Sequence, residues 1–260
     1  MTSGPVSIHI RHLSLSRGGK NLYRNFMLDI AAGQIVALVA PSGRGKTTLL
    51  DFIGGVLPLH DVQLTGSVRF GDDCPTVRPR ISYLFQEGLL IRDATALQNV
   101  EFPLVNLMDK PAARQRALSF LKRTGLEKKA DSYPFQLSGG ERQRVSLSRA
   151  FAYPSQILLM DEAFQSQDIR IKIQLIELFR DMLSDTGRTV LFVTHEIREA
   201  VTVADRILVL DDSPVRILLD ISGCAGSASL ADPSPEVLET ERRIVSLLAF
   251  RSPEGSGKPG

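Results

Sequence analysis

The stretch Val36-Ala37-Leu38-Val39-Ala40-Pro41-Ser42-Gly43-Arg44-Gly45-Lys46-Thr47-Thr48 decides the fold. An apolar strand runs into a glycine-containing turn, and a helix starts at once. Glycines at such a turn let successive N–H groups curl around phosphate oxygens, and the helix start adds its positive dipole end. This is the phosphate-loop pattern, in which Lys46 meets the β- and γ-phosphates and Thr47 offers a hydroxyl to Mg²⁺. Pro41, Ser42, Gly43, Arg44, Gly45, Lys46, Thr47 and Thr48 are thus candidate nucleotide-binding residues. Ala40 stands where the pattern has its first glycine, and alanine disfavours the positive φ that glycine accepts. Alone, the segment could also be a glycine-rich turn that binds nothing.

Short apolar runs recur along the chain at Ile35–Val39, Ile81–Phe85, Ile157–Met160, Val190–Val193 and Ile207–Leu210. Their brevity and polar borders predict buried parallel strands. Helical spacing separates many of them, at Thr47–Ile53, Ala112–Arg123, Glu141–Phe151, Ile169–Leu183 and Glu196–Val203. Such alternation predicts an α/β fold with a parallel sheet flanked by helices. Val6, Ile8 and Ile10 alternate with polar residues as an edge strand would, and Leu64–Phe70 reads as an added antiparallel strand. From Gln86 to Gln136 the pattern is helical and broken by Pro103, Pro111 and Pro134, which predicts a helical insertion. Ser222–Ser229 reads as a linker, Glu236–Phe250 as a last amphipathic helix and Ser252–Gly260 as a disordered tail.

The bulk properties narrow the function. Of 260 residues, 43% are hydrophobic and 23% charged, with a formal net charge of +2. So balanced a charge gives no strong pull toward nucleic acid or anionic lipid. Cys74 and Cys224 have no metal-ligand spacing and suit a reducing compartment. The residues from Met1 to Pro5 carry no signal-peptide pattern, and no apolar run is long enough to span a bilayer. Work at a membrane would need another subunit to cross it.

Asp161 and Glu162 follow the run Ile157–Met160, where a buried strand would leave the sheet. Ligands of open α/β sheets bind beyond the strand C-termini, where the phosphate loop also lies. An acidic strand end by itself is a solvated terminus. Beside a phosphate loop it becomes a metal and water site, with Asp161 for Mg²⁺ and Glu162 to polarise the attacking water.

Leu137-Ser138-Gly139-Gly140-Glu141-Arg142-Gln143-Arg144 contains a capping box, Ser138 with Glu141, which starts a helix without any ligand. Two glycines in that first turn cost helix stability, up to about 1 kcal/mol each. They make sense if a phosphate must come close.

LSGGERQR resembles the signature motif of ABC (ATP-binding-cassette) ATPases. Gln86 matches that family's Q-loop, Asp168 its D-loop aspartate and His195, in Val193-Thr194-His195-Glu196, its H-loop. The likeness covers about residues 6–220. It implies a P-loop NTPase fold of the ABC type, with a mostly parallel sheet core, an antiparallel β subdomain and a helical insertion at about 87–150. Residues 221–250 would then be linker and C-terminal helix, and 251–260 the tail.

The resemblance further implies an ATPase using ATP and Mg²⁺. Glu162, His195, Gln86 and Lys46 would be catalytic, and Thr47, Gln86 and Asp161 would serve the metal. Ser138, Gly139, Gly140 and Asp168 would reach the nucleotide held by a second ABC ATPase subunit in a head-to-tail dimer. Arg17 occupies the place of the aromatic residue that stacks on adenine, where its guanidinium plane would stack on the base and make it a nucleotide-binding residue; Tyr23 looks misplaced for that role. Ala163 replaces a usual proline, and Gln165-Ser166-Gln167 departs from the usual Ser-Ala-Leu.

Phe85-Gln86-Glu87-Gly88-Leu89-Leu90-Ile91-Arg92 and Leu97-Gln98-Asn99-Val100 look like the ATPases of nitrate, sulfonate and taurine importers, whose relatives serve thiamine-precursor pyrimidines. This implies a transmembrane permease partner, an extracytoplasmic solute-binding protein met indirectly, and a place at the cytoplasmic face of the cell membrane. An exporter motor, a non-transport cassette and a scaffold that does not turn over remain alternatives. Leu89, Leu90 and Ile91 can be insertion core or permease interface.

Overall fold

The computed structural model describes residues 4–249 except 42, 44, 59, 72–77, 86–88, 165–167, 212–213 and 225–231. The predicted tail, most of the predicted linker, Ser42, Arg44, Gln86 and Cys74 lie outside the described residues.

The chain opens with β1 (Ile8–Arg17), β2 (Lys20–Ile30) and β3 (Ile35–Val39), then α1 (Lys46–Gly54), β4 (Val62–Phe70) and β5 (Ile81–Leu84). The helices α2 (Ala96–Glu101), α3 (Lys110–Arg123) and α4 (Gly139–Ala152) follow without a strand among the described residues. Then come β6 (Ile157–Asp161), α5 (Ile169–Ser184), β7 (Thr189–Thr194), α6 (Ile197–Val203), β8 (Arg206–Asp211), β9 (Arg216–Ser222) and α7 (Pro235–Ala249).

The five apolar runs become parallel neighbours in one sheet, and β9, which the sequence reading did not name, joins β8 antiparallel at its edge, giving the order β5-β6-β7-β3-β8-β9. A separate antiparallel sheet has the order β2-β1-β4. The expected edge strand is therefore the middle one. β1 pairs on both sides because β2, whose pattern is irregular, supplies the partner that the sequence reading lacked.

Period-two burial splits the main sheet between two cores. Leu158, Met160 and Phe192 face helices α4 and α5, where Phe164 meets Phe179 edge-on with centroids 5.2 Å apart. Leu159, Leu191 and Leu38 face the other way, toward α1 and the antiparallel sheet, with Leu49, Ile10 and Tyr23. Each fully buried side chain of this kind contributes about 1.5–3 kcal/mol. The two cores thus clamp β3, β6 and β7 from both faces and fix where their C-termini emerge.

The C-terminal end of α4 is closed by a buried cation. Arg188, just before β7, donates to the carbonyls of Ala150 (2.9 Å), Phe151 (2.8 Å) and Tyr153 (3.0 Å) and to Ser155 Oγ (2.9 Å). Burial, with the Arg116 charge adding to it, brings this guanidinium down to about 10. It satisfies carbonyls that a helix end leaves without partners. At the far end, α7 lies on α6, burying Val237 and Ile244 and pairing Glu241 with Arg198 at 2.9 Å.

Candidate active site

Gly43 and Gly45 both have φ of 78°, the left-handed region that glycine enters without cost. Gly45 ends the loop and caps α1, so the N–H groups of the helix start point into the loop. A Cβ at Gly45 would stand 3.4 Å from the Tyr23 ring. Tyr23 is buried and donates its hydroxyl to the Gly45 carbonyl at 3.0 Å. It holds the loop from below and does not offer a stacking face, which explains its position.

Ala40 is buried and does not adopt a positive φ. The strain expected of an alanine there is absent; among the described residues of the loop the left-handed positions fall on Gly43 and Gly45. The Ala40 carbonyl instead accepts from Lys46 Nζ at 2.8 Å, and that of Pro41 at 3.0 Å. Burial lowers the Lys46 ammonium below its ordinary value, and the charges of Glu162 and Asp161 oppose that.

Thr47 donates its hydroxyl to the Asp161 carboxylate. Burial raises the Asp161 carboxyl above its ordinary range; the Thr47 hydrogen bond pulls it down, and the charges of Glu162 and Asp51 push it up. A hydroxyl and a carboxylate side by side are the hard oxygen donors that Mg²⁺ prefers, so the residues present fit that ion.

Glu162 follows β6 with φ of 47°, a conformation that costs a non-glycine residue of order 1–3 kcal/mol. Its N–H holds to the Val193 carbonyl of β7 at 2.9 Å. The strained turn aims the carboxylate at the next strand end, where His195 Nδ1 lies 3.4 Å from Glu162 Oε1. Leu22, Gly43, Gly45, Lys46, Thr47, Thr48 and Glu162 line one cleft of about 260 Å³.

The remaining predicted residues lie elsewhere. Arg17 is exposed and does not line this cleft; Leu22, which the sequence reading missed, does. Ser138 caps α4 through a reciprocal box with Glu141, at 3.2 and 2.8 Å. Neither Ser138 nor the glycines after it line the cleft. A Cβ at Gly140 would come 3.2 Å from Ile171 Cγ2, whereas one at Gly139 would meet nothing within 4 Å. Gly140 thus answers to packing within the chain, and Gly139 keeps an open approach. Asp168 is exposed and caps α5 through the Arg170 N–H at 2.8 Å. Gln143, in the signature helix, donates to the Ala163 carbonyl at 2.9 Å and ties that helix to the turn after Glu162.

Comparison with known proteins gives the family and the fold. The family described as "ABC transporter" matches residues 23–165. The chain is 37% identical over 238 residues to the aliphatic sulfonates import ATP-binding protein of Rhodopseudomonas palustris, covering 90% of this chain and 83% of that protein. It is 37% identical over 219 residues to the sulfate/thiosulfate import ATP-binding protein of Escherichia coli, covering 81% of this chain and 59% of that longer protein. Among solved structures, a dimeric ATP-binding cassette in a post-hydrolysis state with ADP and Pi superposes with a TM-score of 0.67 at 30% identity, over 83% of this chain and 98% of that one. A dimeric bacterial ABC transporter cassette gives 0.68 at 31% identity with the same coverage.

Proposed function

Since the chain belongs to the ABC transporter ATP-binding family, we propose that it is the ATP-hydrolysing motor of a bacterial importer for sulfonate-, nitrate- or taurine-like solutes or thiamine-precursor pyrimidines. The observation that carries the chemistry is the pairing of Glu162 and His195 beside the loop that holds Lys46.

In this reading the N–H groups of the Gly43–Thr48 segment and the Lys46 ammonium bind the β- and γ-phosphates. Thr47 and Asp161 hold Mg²⁺, which supplies charge neutralisation to the phosphates when bound. Glu162 orients and polarises the attacking water, and His195 contacts the γ-phosphate from the adjoining strand end. Gln86 senses the metal and the water. Little covalent chemistry is asked of the protein; positioning and charge do the work.

Two chains meet head to tail, each presenting Ser138, Gly139, Gly140 and Asp168 to the nucleotide in the other. The exposure of Ser138 and Gly139, away from their own cleft, supports this arrangement. No described helix is long and apolar enough to cross a membrane. In this reading the motor sits at the cytoplasmic face on a permease, as the likeness to import ATP-binding proteins supports. A groove of about 540 Å³ between β5 and the helical insertion, with Phe85, Leu89, Ile91, Phe102 and Pro103 in its lining, suits a short permease helix. Leu89 and Phe102 are 55% and 62% exposed, while Leu90 packs on the core, so the apolar run serves both roles.

Purification of the tagged chain from its native membranes in mild detergent tests the assignment. A co-purifying polytopic permease, with a solute-binding protein beside it, supports the importer. A permease of exporter type or soluble partners alone would overturn it.

A further inference from the structure

Directly behind His195 lies an ionic cluster, buried at Lys172 and Glu199 and half-exposed at Glu196, that the hydrolysis chemistry leaves unused. Lys172, in the first turn of α5, is 4% exposed. Its ammonium pairs with Glu196 and, at 2.9 Å, with Glu199, which is 2% exposed. Thr194 joins them, donating its hydroxyl to Glu199 Oε2 at 2.6 Å and accepting the Glu196 N–H at 3.0 Å. The residues immediately before and after His195 are therefore both tied to one ammonium on a different helix.

That helix turn reaches two other motif segments. The Lys172 N–H bonds to the carbonyl of Asp168, whose side chain caps the turn. Ile171 lies against Gly140 of the signature helix. Taking charges out of water is costly, and well-packed apolar side chains would join α5 to α6 at least as firmly. An ionic joint has a different property: it fixes direction as well as distance. Burial alone would lower the Lys172 ammonium, yet the hydrogen bonds it donates to Glu196 and Glu199 outweigh it and hold the group above its ordinary value. The cation is kept.

We propose that Lys172 is a positioning residue for ATP hydrolysis, clamping the His195 turn to the first turn of α5 so that the imidazole stays against Glu162 and moves together with Asp168 and Gly140. The inference rests on the reading of Glu162 and His195 as hydrolytic residues. Closure of a second chain over Asp168 and Gly140 would then be felt at His195 through a single helical turn. Lys172 itself does not line the cleft of the phosphate loop.

Phosphate release from Mg·ATP tests this with the full chain, comparing wild type, Lys172→Met, Lys172→Arg and His195→Ala, with binding of a fluorescent ATP analogue and thermal melting alongside. Lys172→Met is expected to lower kcat about 10–100-fold, as misplacement of a catalytic group does, with KM and analogue affinity within about two-fold of wild type. Lys172→Arg is expected to restore most of that loss. Should Lys172→Met fail to fold, Glu199→Gln keeps the volume and weakens the same joint, with the same split expected between kcat and KM. Wild-type kcat in the folded variant, or a change in KM alone, would overturn the proposal. If His195→Ala is inactive while Lys172→Met is not, only this inference falls; if His195→Ala is fully active, the reading of the site falls with it.

Discussion

Glu162 and His195 meet at 3.4 Å because β6 and β7 are parallel neighbours, with Asp161 opposite Val193. Both strands end at the same level; β7 pairs directly with β3, which carries the phosphate loop, and β6 lies one strand further out. Sheet register alone therefore assembles a carboxylate, an imidazole and a lysine from three distant parts of the chain. His195→Ala is expected to leave ATP-analogue binding intact and to lower turnover by about 10²-fold or more, the usual cost of losing a preorganised donor. Separate measurement of kcat and binding checks this; an equal loss in both would point to a binding role instead.

Asp161 should show a conflict between stability and function. Its carboxyl is raised, so at neutral pH the fold carries an ionised group that burial disfavours. Asp161→Asn removes that cost and is expected to melt higher than wild type at pH 7 while losing Mg²⁺-dependent hydrolysis. The sign follows from proton uptake: the folded state binds the proton more tightly than the unfolded chain. The variant's advantage should therefore shrink as pH falls through the raised value toward 3.8. Melting curves at several pH values would contradict this if the two proteins tracked each other throughout.

Ala40→Gly probes the departure at the head of the loop. Ala40 needs no left-handed backbone, so glycine has nothing to relieve there. Loss of a buried methyl and added freedom in the unfolded chain predict about 1 kcal/mol of destabilisation. KM for ATP should stay within about two-fold. A large gain in affinity would show that the alanine does hinder phosphate binding.

The two signature glycines should respond in opposite ways. Gly140→Ala crowds Ile171 and is expected to lower the melting temperature. Gly139→Ala meets open space, gains about 0.5–1 kcal/mol of helix propensity and should melt higher. If a partner's phosphate approaches Gly139, that stabler variant will nonetheless hydrolyse ATP more slowly. Unchanged hydrolysis in Gly139→Ala would remove the argument for that approach.

The five parallel strands of the main sheet were legible because buried parallel strands are short apolar runs, and Ile35–Val39 was readable to the residue, whereas the half-buried antiparallel edge strand β9 was missed. β2 was not, for a physical reason. Tyr23, Phe26, Leu28 and Ile30 are its buried residues, so the inward period slips between 23 and 26, where Asn25 takes a φ of 49°. The register shifts along the β1–β2 pair mark the same irregularity. Missing β2 also hid the central place of β1. The six-residue helix α2 is too short to show a period, and it starts through a Thr95–Gln98 capping box. At the site, the residue types and their order were readable, whereas the support of Gly45 by Tyr23 and the clamp at Lys172 depend on pairings between distant segments. No single-segment pattern carries such pairings.

The most direct test of the account is phosphate release by the purified chain with Mg·ATP, wild type against Glu162→Gln. The account predicts measurable turnover in the wild type, and in the variant ATP binding retained with turnover reduced about 10²–10⁴-fold. Turnover near the wild-type rate in Glu162→Gln, or none in the wild type despite ATP binding, would contradict it.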